Sequence, residues 1–188
     1  MNSTKYFLLL FLIVAVLFAC NKKADLVTPP PPPVPEVPVM GGNYQGGIIF
    51  YLDSTGKHGF AAAQSDQNTA GAWGCDSTLQ GANGTAFGTG AQNTTTILNG
   101  CSTAGIATRM CNTYSSAGYT GWFLPSKDEL DSMRVNLYLK SKGSFTDGFY
   151  WSSSEFDANN AWFQYFGNGL QDKYGKNHQF YVRAMRAF

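Results

Sequence analysis

Histidine is nearly absent. The 188-residue chain holds two, His58 and His178, each standing alone, so the His and Cys spacings of a zinc site are missing. There is no Gly-rich phosphate loop and no nucleophile with a base at hand, so a non-enzymatic protein is expected, with no catalytic residue, metal or cofactor. Ser126-Lys127 is the one pair resembling a serine nucleophile with a lysine base, but an N-capping serine before an acidic first turn explains it better. Charge is scarce too: 13% of residues are Asp, Glu, Lys or Arg, and beyond Met40 the two signs balance. Nucleic acid demands a basic stripe, so it is not an expected partner. Lys173, Lys176, Arg183 and Arg186 form a local cluster able to meet an anionic glycan, with solvated surface charge as the plainer reading.

What apolar run there is lies at the start. Lys5 precedes an apolar stretch from Tyr6 to Phe18, and Ala19 stands directly before Cys20, a pattern that looks like a bacterial lipoprotein signal. The run falls short of the ~20 residues a spanning helix needs. Cys20 is therefore expected to be the lipidated first residue of the mature chain, its acyl chains making the sole membrane contact. Residues 1–20 are read as signal peptide and residues 21–40 as a spacer. Thr28 to Val39, TPPPPPVPEVPV, cannot pack a core, and polyproline geometry at ~3.1 Å per residue extends it about 37 Å. The expected location is the cell envelope, lipid-anchored at the outer-membrane surface. Residues 41–188 suit one domain with a single core.

Three cysteines remain in a compartment where disulfides form, so one pair and one leftover thiol are expected. Ile106, Ala107, Met110, Cys111 and Tyr114 recur at helical spacing, with Ser102 or Thr103 as cap, which turns Cys111 to the core. Ten helical residues would hold Cys101 and Cys111 ~15 Å apart, too far for a disulfide. Cys75 is then one partner, and the favoured pairing is Cys75 with Cys101.

Gly47 to Leu52 and His58 to Ala63 read as a hairpin about Asp53-Ser54-Thr55-Gly56. Gly71 to Gly90, with Trp73 as its one large anchor, reads as a long ordered loop. Helices are expected near Asn93 to Leu98 and Ala104 to Tyr114, and from a Ser126/Glu129 capping box to about Tyr138. Strands follow at Phe149 to Ser153 and Ala161 to Phe166, then a turn at Gly167-Asn168-Gly169 and a last strand from Phe180 to Phe188. The order predicts an α+β fold.

The stretch Tyr150 to Phe188 interleaves a scaffold with a display. Trp151, Ala161, Trp162, Val182 and Ala184 fit buried strand positions. Phe156, Asp157, Asn159, Asn160, Gln164, Asn168, Gln171, Asp172, Tyr174, His178 and Gln179 are the candidate ligand-binding residues, since aromatic and amide side chains give contact area and adaptable hydrogen bonds at low entropic cost. Phe156, Tyr165 and Tyr174 are the preferred stacking platforms. An Asn- and Gly-rich set of hairpin loops is the alternative.

GWFLPSKDEL, YWSSSE, AWFQYFGNG and the terminal YVRAMRAF together resemble the domain family found at the C-terminus of a collagen-like bacterial adhesin, over nearly all of residues 44–188. The resemblance implies a C-type-lectin-like domain with antiparallel sheets, two to three helices and paired terminal strands. It also implies an adhesin-like role, with sulfated glycans among the ligands and a homo-trimer among the assemblies. The Glu-Pro-Asn and Trp-Asn-Asp motifs of calcium-dependent lectins are missing, although Glu155, Asp157, Asn159 and Asn160 could gather some oxygen ligands. The ending also resembles variable proteins of diversity-generating retroelements, with Trp151, Ser152, Ser153, Glu155, Ala161, Trp162, Gly167, Val182 and Arg183 as the fixed frame. The expectation is a lipid-anchored, surface-displayed binding protein for a glycan or protein ligand. The alternatives are a retroelement-diversified protein-binding receptor, a structural assembly subunit, or an enzyme like the formylglycine-generating oxidases. Those oxidases share the fold but use a reactive cysteine pair near the chain's end, and here no cysteine follows Cys111.

Overall fold

The computed structural model describes residues 36–188. The expected lipidation site Cys20, the expected signal peptide and most of the expected spacer lie outside the described residues, and of the spacer Glu36 to Met40 are seen, without regular structure and largely exposed.

Two sheets share the chain. The first has the order β1 (Asn43–Tyr44), β2 (Gly47–Leu52), β3 (Gly59–Ala63) and β9 (Met185–Ala187), all antiparallel. The second runs β4 (Asn68–Ala72), β8 (Gln179–Val182), β5 (Phe149–Glu155), β6 (Asn160–Tyr165) and β7 (Gln171–Gly175). In it β5 and β8 are parallel and the other pairs antiparallel. Between β4 and β5 in the chain come α1 (Gly90–Gly100), α2 (Ala107–Thr113) and α3 (Lys127–Asn136), α3 being followed by a 3-10 turn at Tyr138–Lys140. The class is α+β, with the terminal strand β9 paired into the first sheet.

The expected last strand is in fact two. It breaks at Arg183-Ala184, so that β8 ends the second sheet and β9 enters the first. The break is held by the Arg183 side chain, which is fully buried. Its Nε donates to Asp66 Oδ1 at 2.7 Å, its Nη1 donates to the carbonyls of Ala63 and Gly143, and its Cζ lies 3.8 Å from the Phe145 ring centre. A buried guanidinium persists because each donor finds an acceptor and its charge a counter-ion.

α3 starts where the sequence signals it. Ser126 Oγ accepts from the Glu129 amide while the Glu129 carboxylate accepts from the Ser126 amide at 2.7 Å, a reciprocal capping box. α2 begins at Ala107 with no side-chain cap; Ser102 and Thr103, read as capping candidates, lie exposed ahead of it. The stretch read as loop from Gly71 opens as the end of β4, then crosses the protein without regular structure to α1. Trp73 pins it, buried, with Nε1 donating to the Ser152 carbonyl at 2.7 Å.

β5 carries an irregularity. Trp151 faces Phe163 and Glu155 faces Ala161, so Ser152, Ser153 and Ser154 stand against the single residue Trp162. Such a bulge re-aims the strand and frees backbone groups, which neighbours must satisfy. Ser153 N donates to the Pro125 carbonyl, Ser154 Oγ to Gly84 and Ser152 Oγ to Trp162, while Lys127 N donates to Ser154 Oγ. The three serines thereby fasten the long loop and the start of α3 to the second sheet. The main core gathers Trp73, Trp122 and Trp151 with Ile97, Leu124 and Val182. Cys75 and Cys101 are joined at its edge, with their Cα atoms 5.6 Å apart, and Cys111 is a buried free thiol whose pKa burial pushes up.

Candidate functional site

The β6-β7 hairpin sorts the candidate ligand-binding residues onto two faces, because neighbours along a strand alternate and directly opposed residues share a side. Phe149 faces Tyr165, Trp151 faces Phe163, Phe163 faces Asp172 and Ala161 faces Tyr174, so these residues share one face. Trp162 with Lys173, and Gln164 with Gln171, occupy the other, toward α3.

The α3 side is closed by polar pairing. Gln164, a candidate ligand residue, is fully buried: its amide donates to Asp131 on α3, which removes it from any display. Gln171 donates to the Lys127 carbonyl and accepts from Lys127 Nζ. Trp162, expected in the core, is instead half-buried, its ring 5.6 Å from Lys127 Nζ and meeting the Phe156 ring edge-on. Phe156 is 46% exposed and carries Lys173 Nζ 4.3 Å from its ring centre. Each partly exposed ring on this side thus has its own lysine.

The opposite face is open at one end. Trp151 and Val182 run under the core, but Phe149 and Tyr174 are 41% and 49% exposed. Between them lie Phe163 and Phe180, with Phe180 centred 5.3 Å from Phe149 and 5.8 Å from Tyr174. Tyr165 packs on Phe149 at 4.7 Å, and His178 packs on Tyr174 at 4.6 Å. Beside Phe149 and Phe180 a groove of about 340 Å³ is lined by Thr69, Asp147, His178 and Gln179. Asp172, exposed, shares the aromatic face, and a hydrogen bond to Asp147 raises the pKa of the Tyr165 hydroxyl. Phe163 and Phe180 are themselves buried, so the rings left in water here are chiefly Phe149 and Tyr174, beside the groove.

Asp157, Asn159 and Asn160 form a turn of their own. Asp157 Oδ1 accepts from the Asn159 and Asn160 amides, and the Asn160 side chain donates to it as well, which lowers the Asp157 pKa. Glu155 does not join them as an oxygen ligand. Its buried carboxylate accepts from Lys176 Nζ at 2.6 Å and from the amides of Gln80, Gly81 and Ala82, leaving no lone pair facing outward. For the same reason Glu155 is not placed to pair with Asp157 or Asp172 as acid and base. Lys176 and Arg183 are also fully buried, whereas Lys173 is exposed on the α3 side and Arg186 is half-buried, so the four cations read as a cluster do not form one basic surface. Asn168 is exposed at the β6-β7 turn, apart from both ring clusters in the pairing pattern.

The candidate residues that meet on the open face are Asp172, Tyr174, His178 and Gln179. Phe149, Asp147 and Thr69 join them without having been singled out. Phe149 lies two residues before the buried Trp151 and so shares its face, a signal present in the period-two pattern.

A family model described as the Lcl C-terminal domain matches residues 62–186, about two-thirds of the chain. No curated protein matches it.

Proposed function

Since the chain belongs to the Lcl C-terminal domain family, we propose that it is a lipid-anchored, surface-displayed binding protein whose ligand, a glycan or a protein, sits on the open aromatic face of the second sheet. The observation that carries the reading is the run of rings Phe149, Phe180 and Tyr174, exposed at both ends and flanked by a groove. Rings that could have been buried or replaced by polar side chains remain in water, at a cost that ligand contact offsets. Anchor and spacer complete the account: Cys20 holds the chain to the outer-membrane surface, and the Pro-rich segment carries the domain outward.

A non-enzymatic role fits the side chains available. Cys111 is buried with its pKa raised, unlike a reactive thiolate, and the Glu155 carboxylate is committed to Lys176. The retroelement-diversified receptor is a second reading, favoured by the interleaving of exposed Asp172 and Tyr174 with the buried frame of Trp151 and Ala161. Deep sequencing of the gene's 3′ end in a clonal population distinguishes it: adenine-directed changes concentrated at the exposed positions support it, and invariance rules it out. The primary reading is tested by presenting the detergent-solubilised full chain to an array of neutral and sulfated glycans and of bacterial and host surface proteins, with and without a calcium chelator. Saturable binding to one class supports it, and silence on every class contradicts it.

A further inference from the structure

The two aromatic clusters differ in what already covers them. On the α3 side Lys173 lies over Phe156 and Lys127 over Trp162. On the open face, among the described residues, no lysine or arginine lies over Phe149, Tyr165, Tyr174 or Phe180. The charges present there are of one sign. Asp172 shares the face and Asp147 lines the groove, and neither belongs to any of the three salt bridges among the described residues. The cations nearest in sequence are turned elsewhere: Lys173 to the opposite face, and Lys176 inward to Glu155.

A ring face attracts a cation through its quadrupole, and a carboxylate beside it adds a charge-assisted hydrogen bond. The same negative field repels sulfate and carboxylate groups. We propose that the open face docks a segment of a partner protein through Lys or Arg side chains laid over Tyr174 and Phe149 and held by Asp172 and Asp147. This rests on the open face being the binding face, and it names the chemistry of the ligand. Arg and Lys have aliphatic stems that lie along the partly exposed rings of Phe149 and Tyr174 while their heads reach the carboxylates, which suits a surface where exposed rings stand beside acidic groups. Charge complementarity favours such a segment over a sulfated polysaccharide, since the buried Lys176 and Arg183 leave this face without a basic counterpart.

Fluorescence anisotropy with the detergent-solubilised full chain tests the proposal, using labelled tetralysine peptide, the same peptide Nε-acetylated, and labelled dextran sulfate as probes. Tetralysine is expected to bind saturably, to weaken about tenfold in Asp172→Asn and in Tyr174→Ala, and to be unaffected by Asp128→Asn on the remote α3 turn. Acetylation is expected to remove the binding. Equal binding of both peptides, tetralysine binding insensitive to both open-face variants, or dextran sulfate binding lost in Tyr174→Ala would each overturn it. If tetralysine fails while Tyr174→Ala abolishes capture of another ligand, the cationic chemistry is wrong and the open-face site stands; if Tyr174→Ala alters the capture of no ligand, the open-face site itself fails.

Discussion

Lys176 and Glu155, 21 residues apart, meet at 2.6 Å with both side chains buried. Lys176 also donates to the carbonyls of Thr78 and Ala158, and Glu155 gathers the amides of Gln80, Gly81 and Ala82. One ion pair thus ties the long irregular loop to the ends of β5 and β7, which is how a strand hairpin is held against a segment with little regular structure of its own. Breaking it from one side strands a buried charge. Lys176→Met is expected to lower stability by about 3–5 kcal/mol in urea unfolding, and adding Glu155→Gln to recover part of that. Additive losses would show that the two side chains do not act as a pair.

The Cys75–Cys101 bond closes a loop with a sequence separation of 26 residues. Its reduction is expected to cost about 3–4 kcal/mol, chiefly by freeing the unfolded chain. Cys111, buried and with its thiol pKa pushed up, is expected to resist alkylation until the protein unfolds. Labelling of Cys111 at native rates comparable to an exposed thiol would contradict its core position.

Glu129 is buried, and burial raises its pKa even though the Ser126 and Gly88 amides donate to it. The folded protein therefore holds this proton to higher pH than the unfolded chain does. Its contribution to stability is full below the unfolded pKa near 4.5 and declines as pH rises through the folded value, then levels off. The difference in unfolding free energy between the native chain and Glu129→Gln, followed from pH 4 to 8, should show that fall. A difference rising with pH would mean that the amide donors outweigh burial.

Gly169 sits at φ +84° in the β6-β7 turn, where a Cβ would lie 2.8 Å from Arg134 Nη1. Arg134 is itself engaged, its Nε donating to the Phe166 carbonyl at 2.7 Å. Gly169→Ala is expected to cost about 1–3 kcal/mol through backbone strain, read as a lowered melting temperature. An unchanged melting temperature would mean that the turn relaxes freely.

What could be read from the sequence was what local physics decides. The Ser126/Glu129 box is a contact between residues three apart, and the strand pattern around Trp151 and Ala161 follows from period-two alternation. What could not be read depended on partners far along the chain. Lys176 looked like surface charge until Glu155 and Thr78 closed around it, and Arg183 until Asp66 and Phe145 did. Gln164 alternates correctly for a displayed residue, but α3 packs over that face and Asp131 takes its amide. The serine bulge shifts β5 against β6, and the sheet change at Arg183-Ala184 splits what reads as one strand, so the division of the display into two faces emerges only from the register.

On the proposed function, ligand contact belongs to the Phe149–Tyr174 face and not to the Phe156–Trp162 face. The most direct test measures binding to whichever array ligand the full chain captures, comparing Tyr174→Ala with Phe156→Ala. Both side chains are about half exposed, so each variant should keep the native melting temperature within a few degrees. Tyr174→Ala is expected to weaken binding about tenfold or more while Phe156→Ala leaves it nearly unchanged. Loss of binding in Phe156→Ala with Tyr174→Ala unaffected would contradict that placement.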